Sequence, residues 1–303
     1  MRNTFINTLC DLANEHEDVF LLCGDLGYSV LEPFADRFPN RFLNVGIAEQ
    51  NMTLVASGLA REGYNVFTYS IGNFPTLRCM EQIRYDVCYH DANVKVVAVG
   101  AGYAYGPQGV SHHTTEDIAM MRALPKMKVC VPADPQEAKA AAAFMVSHRG
   151  PGYVRLNKSG EPRLHELLRP SQFRPGRFIK VRDGNDTLVL TTGAIVHSIA
   201  KEMSSTFPGW ALWTSPFVGD YDPITLIELG QSFNRIVTVE EHQLNGGFGS
   251  SLIEALSDLY AEGKLHRMPF VQRLAIPNVF VSTSGTQDYL RDAAGLTLAS
   301  LAI

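Results

Sequence analysis

Glu49 stands in the stretch RFLNVGIAEQNM (41–52), just past an apolar run, where a carboxylate gains nothing by packing. A carboxyl held among apolar groups has its charged form disfavoured, so it can share a proton near neutral pH. Further on, GPQGVSHH places His112 and His113 on a turn after the apolar run ending at Val99. Open α/β sheets gather their ligand groups at such strand ends. An imidazole there can donate to a developing alkoxide or move a proton. Between these points YSIGNFPTL carries Tyr69 and Phe74, and EQIRYDV carries Arg84. Taken singly, each has an ordinary explanation. A Glu in a first helical turn complements the positive helix end, worth ~0.3–1 kcal/mol; a buried His is usually structural, a Phe packs, and a helix Arg faces water.

The elements that must position these residues follow from hydrophobic periodicity. VFLLCG, RFLNVG, NVFTYS, VKVVAVG, KVCVPA and GYVRLN read as strands, several apolar on both faces, which suits a parallel sheet covered by helices. Over 48–61, Ala48, Met52, Val55, Ala56 and Leu59 fall on one helical stripe, and DPQEAKAAAAFMVSH begins at an Asp134 cap signal. This is α/β alternation. From 159 to 185 the pattern dissolves around Pro162, Pro170 and Pro175, and the segment reads as a linker between a domain at 1–158 and a second at 186–303. In the second, TLVLTTG, ALWTS, RIVTVEEH and FVQRLAI read as strands, with helices near 195–206, 222–231, 248–262 and 285–294.

Composition narrows the partners. With 26 Lys plus Arg against 31 Asp plus Glu, the net charge of -5 argues against nucleic acid or an anionic membrane as the main partner. Small molecules or proteins are expected instead. Cys10, Cys23, Cys79, Cys88 and Cys130 form no C-x-x-C pair and no disulfide framework, which fits a reducing cytoplasm. The first residues contain no apolar signal core, and no run approaches the roughly 18 apolar residues that span a bilayer.

The ordered set CGDLGYS, GIAEQNM and GPQGVSHHTTEDIAMMRALPKMKVCVPAD closely resembles the pyrimidine-binding domain of transketolases and deoxyxylulose-phosphate synthases. With TTGAIVHSIAKE and VTVEEHQLNGGFGS following in the same order, the whole chain is similar to the C-terminal half of a transketolase. The resemblance implies two α/β domains with mainly parallel sheets, and thiamine diphosphate as cofactor. That cofactor must lose its thiazolium C2 proton to its own amino group, in an imino tautomer that forms only when the pyrimidine ring is protonated at N1′. The resemblance assigns that proton to Glu49. It places Phe74 against the aminopyrimidine with Tyr69 nearby, Arg84 near the cofactor interface, and His112 at the reacting oxygens of a sugar. His113 stands where transketolases usually carry Gln.

Departures from the family pattern concern the sugar. Gly106-Pro107-Gln108-Gly109 replaces the usual Gly-Glu-Asp-Gly, so Gln108 takes the place of the Asp that contacts the donor hydroxyl. The usual phosphate-binding His position, twelve before His112, is Gly100, and the usual phosphate-binding Arg position in YVRLNKSG holds Lys158. Lysine keeps a charge but loses the planar fork that grips phosphate bidentately.

The Gly-Asp-Gly plus Asn pattern that binds the diphosphate through magnesium is expected on a partner chain. The implied assembly is a split transketolase, two copies of each chain, with Mg2+ held mainly by the N-terminal subunit. It would move a two-carbon ketol unit from a ketose to an aldehyde. Two other readings stay open: the beta subunit of a 2-oxoacid dehydrogenase or decarboxylase, and a noncatalytic chain of the same fold. Glu240, Glu241 and His242 lie in a domain that in this family mainly supports assembly.

Overall fold

The computed structural model describes residues 1–166 and 168–301. The chain opens with α1 (Arg2–Leu12), β1 (Val19–Cys23), α2 (Glu32–Arg37), β2 (Phe42–Asn44), α3 (Glu49–Arg61) and β3 (Asn65–Ile71). A short α4 (Met80–Gln82) runs on into π-helical turns over Ile83–Tyr89 before β4 (Val94–Val99). α5 (Asp117–Arg122), β5 (Lys128–Cys130), α6 (Pro135–Ser147) and β6 (Gly152–Leu156) complete the first unit. The second unit contains β7 (Ile179–Arg182), β8 (Thr187–Thr191), α7 (Val196–Thr206), β9 (Ala211–Thr214), β10 (Phe217–Val218) and α8 (Pro223–Ser232). It ends with β11 (Arg235–Gln243), α9 (Phe248–Ala261), β12 (Phe270–Ile276) and α10 (Gln287–Ala293).

Residues of β1, β4 and β6 are buried along their whole length, as strands covered on both faces must be. The first sheet has the order β10-β5-β6-β4-β3-β1-β2 and is parallel except for β10, which lies antiparallel on β5. The second has the order β12-β11-β8-β9-β7 and is parallel except for β7 on β9. The mainly parallel two-unit fold expected from the sequence is the one found.

Strand alternation divides the core. Met52 and Ala56 of α3 pack with Leu22, Val66 and Val96 on one sheet face, in a cluster that continues into Leu226, Phe248 and Leu252 of the second unit. On the other face Phe5, Leu9 and Ala142 meet Leu21, Phe67 and Val97. The Asp134 side chain caps α6, accepting from the Glu137 N–H at 2.8 Å. All five cysteines are buried and free.

Two features differ from expectation. The stretch read as a linker is partly built into the fold. Ile179–Arg182 forms an edge strand, Phe173 is buried, and the backbone N–H groups of Leu164 and His165 donate to Asp134 Oδ2 at 2.8 and 3.2 Å. Leu167 lies outside the described residues, as do positions 302 and 303 of the stretch assigned to the second domain. The other is β10, two residues of the second unit that extend the first sheet, pairing Phe217 with Cys130 and Val218 with Val129.

Candidate active site

Glu49 is the first residue of α3 and is 2% exposed. The residue before the helix, Ala48, offers no side-chain cap, so the carboxylate sits where unpaired N–H groups and the positive helix end favour an anion. The surround is not wholly apolar as expected. Arg78, itself half exposed, donates from Nη1 to Glu49 Oε2 at 2.8 Å. Arg78 also lies 5.3 Å over the ring of Phe74. Sequence reasoning missed Arg78 because nothing local marks it: it leaves a short 3-10 turn and acquires its meaning only when Glu49 is brought beside it.

From Phe74 the contacts continue. Phe74 follows the turn at the end of β3, and its ring meets His112 edge-on at 5.3 Å. His112 ends a 3-10 turn over Val110–His112, with Ser111 Oγ 3.0 Å from Nδ1. Its ring is 6.3 Å from Tyr105, over which Lys158 Nζ sits at 4.8 Å. Glu49, Arg78, Phe74, His112, Tyr105 and Lys158 therefore form one unbroken line of side chains. Gln108 lies exposed in the same loop.

His113 turns the other way. It is buried, its Nε2–H points at the Gly106 carbonyl at 3.4 Å, and its ring meets Tyr103 edge-on at 5.1 Å. Burial pushes its imidazole below the ordinary value of 6.5. Phe74, Arg78, Tyr103 and His113 line a cavity of about 700 Å³, together with Gln243 and Phe280 of the second unit. Asn73 Oδ1, Tyr103 OH and Gln243 Oε1, all on its walls, are buried with no hydrogen-bond partner among the described residues. An apolar cavity with a few unanswered polar atoms is suited to a bound small molecule.

Two expected residues fall elsewhere. Tyr69 is buried on the opposite face of the sheet from α3, in the cluster with Phe67 and Val97. Side chains alternate along β3, so Tyr69 cannot share a face with Val66, which packs in the α3-side cluster. Arg84 is exposed, stacked 4.9 Å over Tyr85, and borders a separate depression with Tyr89 and Pro125. Neither lines the cavity beside Phe74.

The departure at Gly100 has a structural counterpart. Gly100 has φ +99°, and a Cβ there would overlap the Tyr105 ring. A side chain at this position is excluded twice, by backbone conformation and by Tyr105. Among the described residues, no group of three or more His, Cys, Asp or Glu is placed to hold a metal, and no helix is long and apolar enough to cross a membrane.

Residues 1–162 match the transketolase pyrimidine-binding domain and residues 176–301 the transketolase C-terminal domain. A putative transketolase C-terminal section from Methanocaldococcus jannaschii is 34% identical over all of this chain and 94% of its own length. A 6-deoxy-6-sulfo-D-fructose transketolase subunit from a Clostridium species is 30% identical over 98% of this chain and 90% of its own. A solved structure described as a split gene transketolase, inactive beta4 tetramer, superposes with a TM-score of 0.83 at 31% identity, covering 99% of this chain and 94% of that one.

Proposed function

This chain belongs to the transketolase family, and on that premise we propose that it is the beta subunit of a two-component transketolase. It would transfer a two-carbon ketol unit from a ketose to an aldehyde. The single observation that carries the reading is the buried Glu49 carboxylate at the head of a continuous line of side chains ending at the exposed Lys158. Of the readings open from the sequence, the relatives described as transketolase subunits favour this one.

The residues present fit the pyrimidine end of thiamine diphosphate: a buried carboxylate, an aromatic ring beside a cavity and unanswered polar atoms on its wall. When bound, that cofactor supplies the nucleophile and the electron sink. Glu49 holds a proton at the pyrimidine nitrogen, and Arg78 orients the carboxylate. Phe74 supplies a flat apolar wall. His112, half-buried and beside Phe74, donates to a sugar oxygen as charge develops on it. The diphosphate end and Mg2+ belong to an N-terminal partner chain, with two copies of each subunit in the assembly.

Substrate choice rests on Gln108, Tyr105 and Lys158. The Tyr105 ring fills the space beside Gly100, and the single ammonium of Lys158 stands beyond it as a point charge rather than a fork. This arrangement gives up the bidentate grip on a terminal phosphate, so common pentose phosphates should be turned over less efficiently than another ketose or aldehyde, one with a different anionic group or none. The sulfosugar named for one relative is a ketose whose anionic group is not a phosphate.

Reconstitution tests the reading. The purified chain alone should be inactive and bind thiamine diphosphate poorly, and an N-terminal transketolase subunit with Mg2+ should restore both. Stoichiometric cofactor binding and turnover by this chain alone would refute it.

A further inference from the structure

The loop that carries Gln108, His112 and His113 is closed at its neck by a two-residue bridge. Gly102 N–H donates to Thr114 O at 3.0 Å, and Thr114 N–H returns to Gly102 O at 2.9 Å. Two groups grip this neck. From the first unit, Arg155 donates from Nη2 to Thr114 O at 2.6 Å and pairs through Nε with Asp117 at 2.7 Å. The second grip comes from the other domain. Glu241 Oε1, on β11, accepts the Tyr103 N–H at 2.6 Å. Gly102 allows that approach, because a Cβ there, at φ +58°, would overlap the Glu241 side chain.

Glu241 is itself fixed. It is buried, Arg291 of α10 donates to Oε2 at 2.7 Å through Nε with Nη2 at 2.5 Å, and Gln287 donates at 3.0 and 3.1 Å. Its own carbonyl accepts from Arg155 at 3.0 Å, joining the two grips. Farther along the loop, Gly106 has no room for a side chain, since a Cβ would overlap the Gly285 carbonyl and Leu290. The second domain thus bears on the loop at its neck and again between Tyr103 and His113.

We propose that Glu241 is a positioning residue for substrate: its carboxylate, braced by Arg291, sets the height of Tyr103 and with it the His112–His113 loop. The second domain then takes part in the substrate site from a distance, and Glu241 itself makes no contact with Glu49. This rests on the transketolase reading for the identity of the substrate, but not for the geometry of the loop.

Two full-length variants separate the contact from the charge. Glu241→Asp keeps the charge for Arg291 and withdraws the oxygen from Tyr103 N–H by one methylene. Glu254→Gln removes one carboxylate charge at the surface, where Glu254 pairs with Arg122 rather than with the loop neck. On the chain alone, amide hydrogen exchange across 102–114 and the His113 side-chain NMR signal, assigned with His113→Gln, read the loop without any turnover. Glu241→Asp should speed exchange at Tyr103 and move the His113 signal, and Glu254→Gln should stay close to wild type. In the reconstituted complex, Glu241→Asp should raise the donor KM about tenfold, the scale of a small misplacement, with exchange at cofactor C2 within about twofold of wild type. Wild-type loop signals and donor KM in Glu241→Asp would overturn the proposal, as would equal impairment in Glu254→Gln. If the complex shows no ketol transfer at all, the exchange and NMR results still decide the role of Glu241.

Discussion

The chain contains two very different concentrations of charge, one at the seam between its domains and one around Glu49. At the seam, Asp117, Arg155 and Glu241 are all buried, and each answers several partners. Tyr153 OH donates to the same Asp117 oxygen as Arg155. Around Glu49 the partner Arg78 is half exposed, and Ile47 and Phe280 stand 78% and 81% exposed beside it or on the cavity rim. The seam's ion pairs are all formed within one chain. The Glu49 surface has one buried acid and an apolar border that nothing in this chain covers among the described residues. The seam charges pair with one another inside the chain, although Asp117 Oδ1 is left without a partner among the described residues, whereas the Glu49 carboxylate has one partner open to water.

Substitutions on the two sides should therefore fail differently. The largest effect belongs to Glu49→Gln in the reconstituted complex, where hydrogen exchange at cofactor C2 should slow by roughly 10²–10⁴-fold while the melting temperature barely changes. The fold survives because the Arg78 left behind can turn to water. A wild-type exchange rate would return Glu49 to helix-end electrostatics. Arg155→Met at the seam should cost about 3–5 kcal/mol in urea unfolding, since it strands the buried Asp117 carboxylate. A loss below ~1 kcal/mol would show that the seam tolerates exposure as the site does.

Next in size is Lys158→Ala. Losing one charge-assisted contact should lower kcat/KM for anionic ketoses by about 1.5–3 kcal/mol equivalent and leave uncharged ones unchanged. A panel of phosphorylated, sulfonated and uncharged donors measures this. If xylulose 5-phosphate and ribose 5-phosphate come out clearly best in the wild type, the departures at Gly100, Gln108 and Lys158 are neutral.

The smallest effects are in pH dependence, and they have opposite signs on the two sides. Burial lowers the His113 pKa, so its stabilising contribution is present above the unfolded value of 6.5 and is lost as pH falls through the folded value. At the seam, burial opposes protonation of His165, but the Glu137 carboxylate 3.1 Å away outweighs it and the pKa is raised. Its contribution is present below 6.5 and is lost as pH rises through the folded value. Urea unfolding of His113→Gln and His165→Gln between about pH 5 and pH 8 should change the slope of stability in opposite directions relative to wild type.

Periodicity located the longer strands and helices, because runs such as VKVVAV and the Met52–Ala56 stripe face a core on a fixed period, but it left the short α2, α4 and α5 and the edge strand β7 unmarked. What it could not supply was contact between distant segments. Arg78 and Tyr105 carry no local signature, and β10 is too short for any pattern to mark. Tyr69 is a different kind of miss. The alternation of β3 was visible in NVFTYSI, and counting from Val66 would have put Tyr69 on the far face. Glu49, His112 and Lys158 stood out because their surroundings repeat a family order, while the Glu241 contact with Tyr103 links positions 138 residues apart.

Two residues, Phe217 and Val218, have a consequence for anyone who would take this protein apart. They belong to the second unit by chain order and to the first by hydrogen bonding. Cutting between the units and producing each alone would strip the rim from the first sheet, leaving β5 with bare N–H and C=O groups ready to pair with a neighbouring molecule. The severed first half should aggregate or recruit its missing strand from solution, behaving as a sensor for its own remainder.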